Sequence, residues 1–133
     1  MEWIKKGIAM AHSEIQPAPA AAAVLSKAVV RAAEALALTH GRLASILGVS
    51  PATASRLVNG RYELAEGRKE WEFAILLVRL FRSLDSIVGN EAAARAWLQG
   101  ENLGLGARPV ELMLSTEGLV RVVQYLDASR ART

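Results

Sequence analysis

A chain of 133 residues, 52% of them apolar and 22% charged, folds as one domain or as a compact pair of subdomains on a shared core, and excludes both a large multidomain enzyme and global disorder. Aromatic residues are only 5%, so Ala, Leu and Val carry the apolar count, which suits close-packed helices and argues against an all-β fold. A formal charge of +3 fits an acidic partner without requiring one, and the absence of Cys excludes disulfides, a thiol nucleophile and Cys-ligated metal.

Residues 1–19 stand apart, because Pro17 and Pro19 deny helical hydrogen bonds and set an extended linker that is mobile or draped over the body. From 20 to 38 the apolar positions Leu25, Val29, Ala32 and Leu36 recur at helical spacing, opposite a polar face with Lys27, Arg31 and Glu34. Two short helices are predicted over 41–47 and 51–58. Ser50 caps the second, Pro51 opens it and Asn59-Gly60 stops it. The strongest helix, over 70–86, carries Trp71, Ala74, Ile75, Leu77, Val78, Leu80, Phe81 and Leu84 around more than half its circumference, so it is expected to be the central strut. Asn90 caps a helix over 91–99, a glycine-rich loop follows over 100–106, and Pro109 opens a short turn through 114. Ser115 or Thr116 caps a last helix to 128, before a frayed basic tail over 129–133. The fold class expected is all-α.

Residues 39–62 read as a helix-turn-helix. Ala44 is small enough for a second helix to approach, Gly48 supplies the left-handed turn, Val49 and Leu57 are apolar plugs, and Ala54 faces inward where a larger aliphatic is usual. As a recognition helix, the second helix presents Ser50, Ala52, Thr53, Ser55 and Arg56 to the major groove. The charged residues of the segment are Arg42, Arg56 and Arg61, with no carboxylate among them, as phosphate contact favours. Two short helices joined by glycine also occur in proteins with no nucleic-acid role; the missing acids and the clustered caps favour DNA. Three arginines hold DNA weakly, so a homodimer on a two-fold operator is expected.

Signals of other functions are weak. His40 lies near Ser45 and Ser55 with no carboxylate to orient it, so no catalytic triad is expected. Glu63, Glu66, Glu70 and Glu72 read as a solvated helix start suited to the helix dipole. The Gly104-Leu105-Gly106 loop lacks the spacing of a phosphate-binding loop. His12 and His40 are too few to hold a metal, and no cofactor is expected. The clean apolar run 73–78 falls far short of the roughly 20 residues that cross a bilayer, and His12 and Glu14 interrupt any signal-peptide core, so the protein is expected in the cytoplasm.

From Leu84 onward the residues resemble the C-terminal toxin-binding domain of the Xre/MbcA/ParS antitoxin family. The likeness rests on Ala96-Trp97-Leu98, Asn102, Leu103-Gly104, Arg108-Pro109-Val110-Glu111-Leu112 and Leu114-Ser115-Thr116-Glu117-Gly118, followed by Val122 and Leu126. Glycine and glutamate precede Asn102, where the family often has a proline beside the asparagine. The resemblance implies a non-enzymatic antitoxin of a type II toxin–antitoxin system. Its partner would be a RES-domain toxin that consumes NAD, and it would dimerise and repress its own operon. On that basis 20–68 form the DNA-binding region and 69–133 the dimerisation and toxin-binding domain. Candidate toxin contacts are Trp97, Arg108, Tyr125, Arg130 and Arg132, with both tail arginines suited to a pocket that holds the pyrophosphate of NAD. Trp97, Pro109 and Gly118 also have packing roles, and surplus apolar surface is expected at the dimer and toxin interfaces. The alternative is a stand-alone regulator whose C-terminal half only dimerises.

Overall fold

The structure, a computed structural model, describes residues 20–132 and arranges them as seven helices. These are α1 Ala21–Ala35, α2 His40–Leu47, α3 Pro51–Val58, α4 Lys69–Val88, α5 Glu91–Gln99, α6 Pro109–Leu112 and α7 Thr116–Ala131. No strand occurs among the described residues; one isolated antiparallel bridge joins Asn102 to Ala107. The all-α expectation holds, and the linker predicted over 1–19 lies outside the described residues.

Four helices start where a short polar side chain accepts an otherwise orphaned backbone N–H. Thr39 accepts from Arg42 at 3.1 Å, Ser50 from Thr53 at 3.1 Å, Asn90 from Ala93 at 2.8 Å and Ser115 from Gly118 at 3.1 Å. Several ends differ from the sequence expectation. Helix α1 stops at Ala35, short of residue 38, because Ala37 turns left-handed with φ +55°. The N–H groups of Ala37 and Leu38 then bond back to Glu34 and Ala33 at 3.1 and 2.9 Å, a stop that glycine usually makes. Helix α4 reaches Val88, where left-handed Gly89 closes it, and α6 stops at Leu112. Helix α7 continues three residues past 128, through most of the tail expected to fray, with the Ser129 hydroxyl donating to the Tyr125 carbonyl at 2.9 Å.

Helix α4 is the strut: it packs on α7 most extensively and also on α1, α2 and α5. Its Ala74, Leu77, Leu80 and Leu84 are fully buried. One apolar core runs without interruption from Leu43, Leu47 and Leu57 in the first half to Leu98, Met113, Leu119 and Leu126 in the second. Polar ties reinforce it. Asp127 of α7 accepts from Arg79 and from the Ser83 hydroxyl of α4, Arg31 of α1 pairs with Glu91 of α5 at 2.6 Å, and Arg95 donates to the Ala35 carbonyl at 2.9 Å. Ile75, one of the apolar residues that mark α4 as a strut packed on more than one side, is 47% exposed, because no described helix covers that side of α4. With Val24 it borders an open groove of about 520 Å³ between α1 and α4, rimmed by Arg79, Arg82 and Arg130.

A non-glycine residue in the left-handed region carries strain of about 1–2 kcal/mol. Replacing Ala37 with Gly is therefore expected to stabilise the protein by about 0.5–1 kcal/mol despite the added freedom of the unfolded chain. Urea unfolding would show it as a higher midpoint at unchanged slope.

Candidate nucleic-acid and partner interfaces

The helix-turn-helix is built from α2, the turn over 48–50 and α3. Gly48 stands left-handed at φ +71°, and a Cβ there would lie 3.4 Å from the Phe73 ring of α4, so the turn rests directly on the strut. Ala44 and Ala54 are both buried, and small side chains at these positions let α2 and α3 pack closely on each other and on the core. Leu57 is buried as expected and Val49 half-buried.

A hydrogen-bonded row runs along the exposed start of α3. The Ser50 hydroxyl donates to Thr53 Oγ1 at 2.9 Å, and an Arg56 guanidinium nitrogen donates to the same oxygen at 3.2 Å. Thr53 thus accepts twice and keeps its own hydrogen to donate, while Arg56 is oriented along the helix with most of its donors unused. Ala52, Arg56 and Arg61 are exposed, but Arg42, Thr53 and Ser55 are half-buried, so the groove-facing surface is narrower than the sequence suggested. None of Arg42, Arg56 and Arg61 is in an ion pair; the pairs found among the described residues involve Arg31, Arg68, Arg79 and Arg95. These three cations keep their charge available to phosphate.

Behind α3 the chain returns over the first turn of α4. Glu70, read from sequence as solvated, is buried. Its Oε2 accepts from the Tyr62 hydroxyl at 2.6 Å and from the Ala65 N–H at 3.1 Å, and Arg68 stands 3.8 Å from Oε1. The loop folds back onto α4 and brings its donors to the carboxylate, which nothing in the local sequence announces. The hydrogen bond to Glu70, reinforced by burial and by the carboxylate's charge, raises the Tyr62 pKa above the ordinary 10.0. Buried Ser26 of α1 anchors the same loop by accepting the Leu64 N–H at 2.9 Å.

In the second half, Trp97 of α5 and Tyr125 of α7 stack with ring centroids 6.2 Å apart and planes at 28°. The loop over 100–108 lies against this pair: a Cβ on Gly104 would fall 2.8 Å from the Tyr125 ring. Gly118 is obligatory, since a Cβ there would meet the Leu112 carbonyl oxygen at 1.8 Å. Buried Pro109 opens α6.

Two family models match the chain: an antitoxin Xre-like helix-turn-helix domain over residues 16–79, and the antitoxin Xre/MbcA/ParS C-terminal toxin-binding domain over 83–132. The chain belongs to the Xre/MbcA/ParS antitoxin family. The fold is also similar to a chain in the crystal structure of the M. tuberculosis MbcT–MbcA toxin–antitoxin complex, at 26% identity and a TM-score of 0.61, covering 83% of this chain and 96% of that one. No curated protein sequence matches it.

The antitoxin therefore carries its helix-turn-helix in the N-terminal half and its toxin-binding domain in the C-terminal half. The candidate toxin contacts do not form one cluster. Trp97 and Tyr125 are in contact, and Arg132, seven positions after Tyr125, shares its side of α7. Arg130 lines the groove between α1 and α4 instead, and Arg108 is exposed just before α6. Trp97 is half-buried, in line with its packing role. Sequence reasoning missed the Tyr62–Glu70 bond, and it used Leu103 in the family likeness without assigning a role to this side chain, which is entirely exposed.

Replacing Tyr62 with Phe leaves the buried carboxylate short of a donor and is expected to cost about 1–3 kcal/mol in urea unfolding at neutral pH. The pH dependence has a defined sign. As pH rises above 10.0 the unfolded tyrosine loses its proton first, so stability that is complete below 10.0 declines above it, and the variant lacks that component.

Proposed function

We propose that this antitoxin neutralises, by direct binding, a RES-domain toxin that degrades NAD, and that as a homodimer it represses its own operon. The observation that carries the proposal is the joining, on one continuous core, of a helix-turn-helix whose three arginines form no ion pair among the described residues to a toxin-binding domain. The pairing of MbcA with MbcT in the similar structure supports a toxin partner, and the family resemblance supports the RES class. The protein acts by binding and has no catalytic activity of its own, and it works in the cytoplasm, where operator and toxin are found. Among the described residues no helix is long and apolar enough to cross a membrane.

In this assignment 20–68 read DNA and 69–133 dimerise and hold the toxin. Arg56 contacts guanine or phosphate, Ser50, Thr53 and Ser55 contact bases or phosphates, Ala52 meets a thymine methyl, and Arg42 and Arg61 bind the backbone. Two copies place their α3 helices in half-sites about one helical turn apart. Trp97, Arg108, Tyr125 and the end of α7 face the toxin. Arg132, on the Tyr125 side, is the better placed of the tail arginines to approach a pyrophosphate-binding pocket.

Co-expression with the product of the adjacent reading frame, followed by pulldown and an NAD-depletion assay, tests the whole proposal. Arg56→Ala is expected to weaken operator binding about tenfold to a hundredfold in a mobility-shift assay while leaving toxin inhibition intact. Loss of both together contradicts two separable sites. Deleting residues 129–133 is expected to weaken inhibition and spare operator binding; undiminished inhibition overturns the role of the tail.

A further inference from the structure

We propose that Leu103 is a preformed anchor that inserts into an apolar socket on the toxin. The inference rests on the toxin-binding role proposed for the C-terminal half. Three large apolar side chains stand out among the described residues: Val24 at 53% exposure, Ile75 at 47% and Leu103 at 101%. The first two border the groove between α1 and α4. Among the described residues, Leu103 is the one large apolar side chain that is fully exposed.

The loop that carries it is held at every step. Asn102 and Ala107 form the isolated bridge, the Gly106 N–H donates to the Asn102 carbonyl at 2.8 Å, and the Leu105 N–H donates to Asn102 Oδ1 at 3.0 Å. Leu105 is buried in the core, and Gly104 presses its backbone on the Tyr125 ring, which stacks on Trp97. Leu103 and Leu105, two positions apart, thus serve opposite ends: one clamps the loop and the other is held out in water. A side chain presented on a fixed backbone loses little further freedom when it is buried by a partner, which is the condition for an effective anchor.

A lone projecting knob fits a concave partner. Leu103 lies in the middle of the segment matched to the toxin-binding domain and directly precedes Gly104, whose backbone lies against Tyr125 of the half-buried Trp97–Tyr125 pair. The groove that Val24 and Ile75 border is built from α1 and α4, with three arginines at its rim. Continuity with the toxin-binding segment selects the toxin as occupant over a second copy of this chain.

The test uses full-length Leu103→Met, Leu103→Ala and Leu103→Asp proteins with the RES-domain product of the adjacent reading frame, read by titrating inhibition of NAD consumption. Because Leu103 is fully exposed, all three are expected to melt with the wild-type protein. Inhibition should be near wild type for Met, about tenfold weaker for Ala and about a hundredfold weaker for Asp, with operator binding and solution mass unchanged. Full inhibition by the Asp variant overturns the anchor, as does a fall in solution mass with inhibition retained, which would assign Leu103 to a contact between copies. Failure of the wild-type protein to inhibit the toxin refutes instead the partner assignment on which the anchor rests.

Discussion

Helix α4 is apolar on more than one side, so it is stable only when neighbours cover it, and the rest of the fold is arranged by that requirement. Ala74, Leu77, Leu80 and Leu84 are buried beneath α1, α2, α5 and α7, and the same helix supports both halves of the molecule. Near its start, Phe73 meets the helix-turn-helix at Gly48. Further along, Arg79 and Ser83 hold α7 through Asp127. Two family domains that can be told apart in sequence therefore share one core, and a packing change in α4 reaches both surfaces.

Charge is distributed by the same logic. The carboxylates Glu91, Asp127 and Glu70 fasten helices or loops together, using Arg31, Arg79 and the Tyr62 hydroxyl. The arginines of the helix-turn-helix are left out of these pairs, and Arg56 is merely steered by Thr53. The net charge of +3 understates this, because the segment suited to DNA carries three arginines and no carboxylate over 39–62.

Much of the fold was legible because it rests on local chemistry. Helical spacing located each helix, and Ser50, Asn90 and Ser115 were recognisable as caps because their short polar side chains reach a backbone N–H three residues on. Gly48 was recognisable by its tolerance of the left-handed region. Helix ends fared worse: Ala37 makes a glycine-type stop without glycine, and α7 runs on through residues composed like a tail. The residues proposed for DNA were legible as a set, yet the half-burial of Arg42, Thr53 and Ser55 depends on how α3 lies against its neighbours.

The sequence by itself determined the all-α class, the helix-turn-helix, the acid-free stretch over 39–62 and the likeness to the antitoxin family, since each is written in spacing or composition along the chain. Only the tertiary structure decided the fates of individual side chains. Glu70 is buried because a loop brings Tyr62 and Ala65 to it, Ile75 is exposed because no described helix covers it, and Leu103 projects while Leu105 is clamped. Burial depends on what lies opposite a residue in space, and periodicity specifies only the side of the helix from which it points.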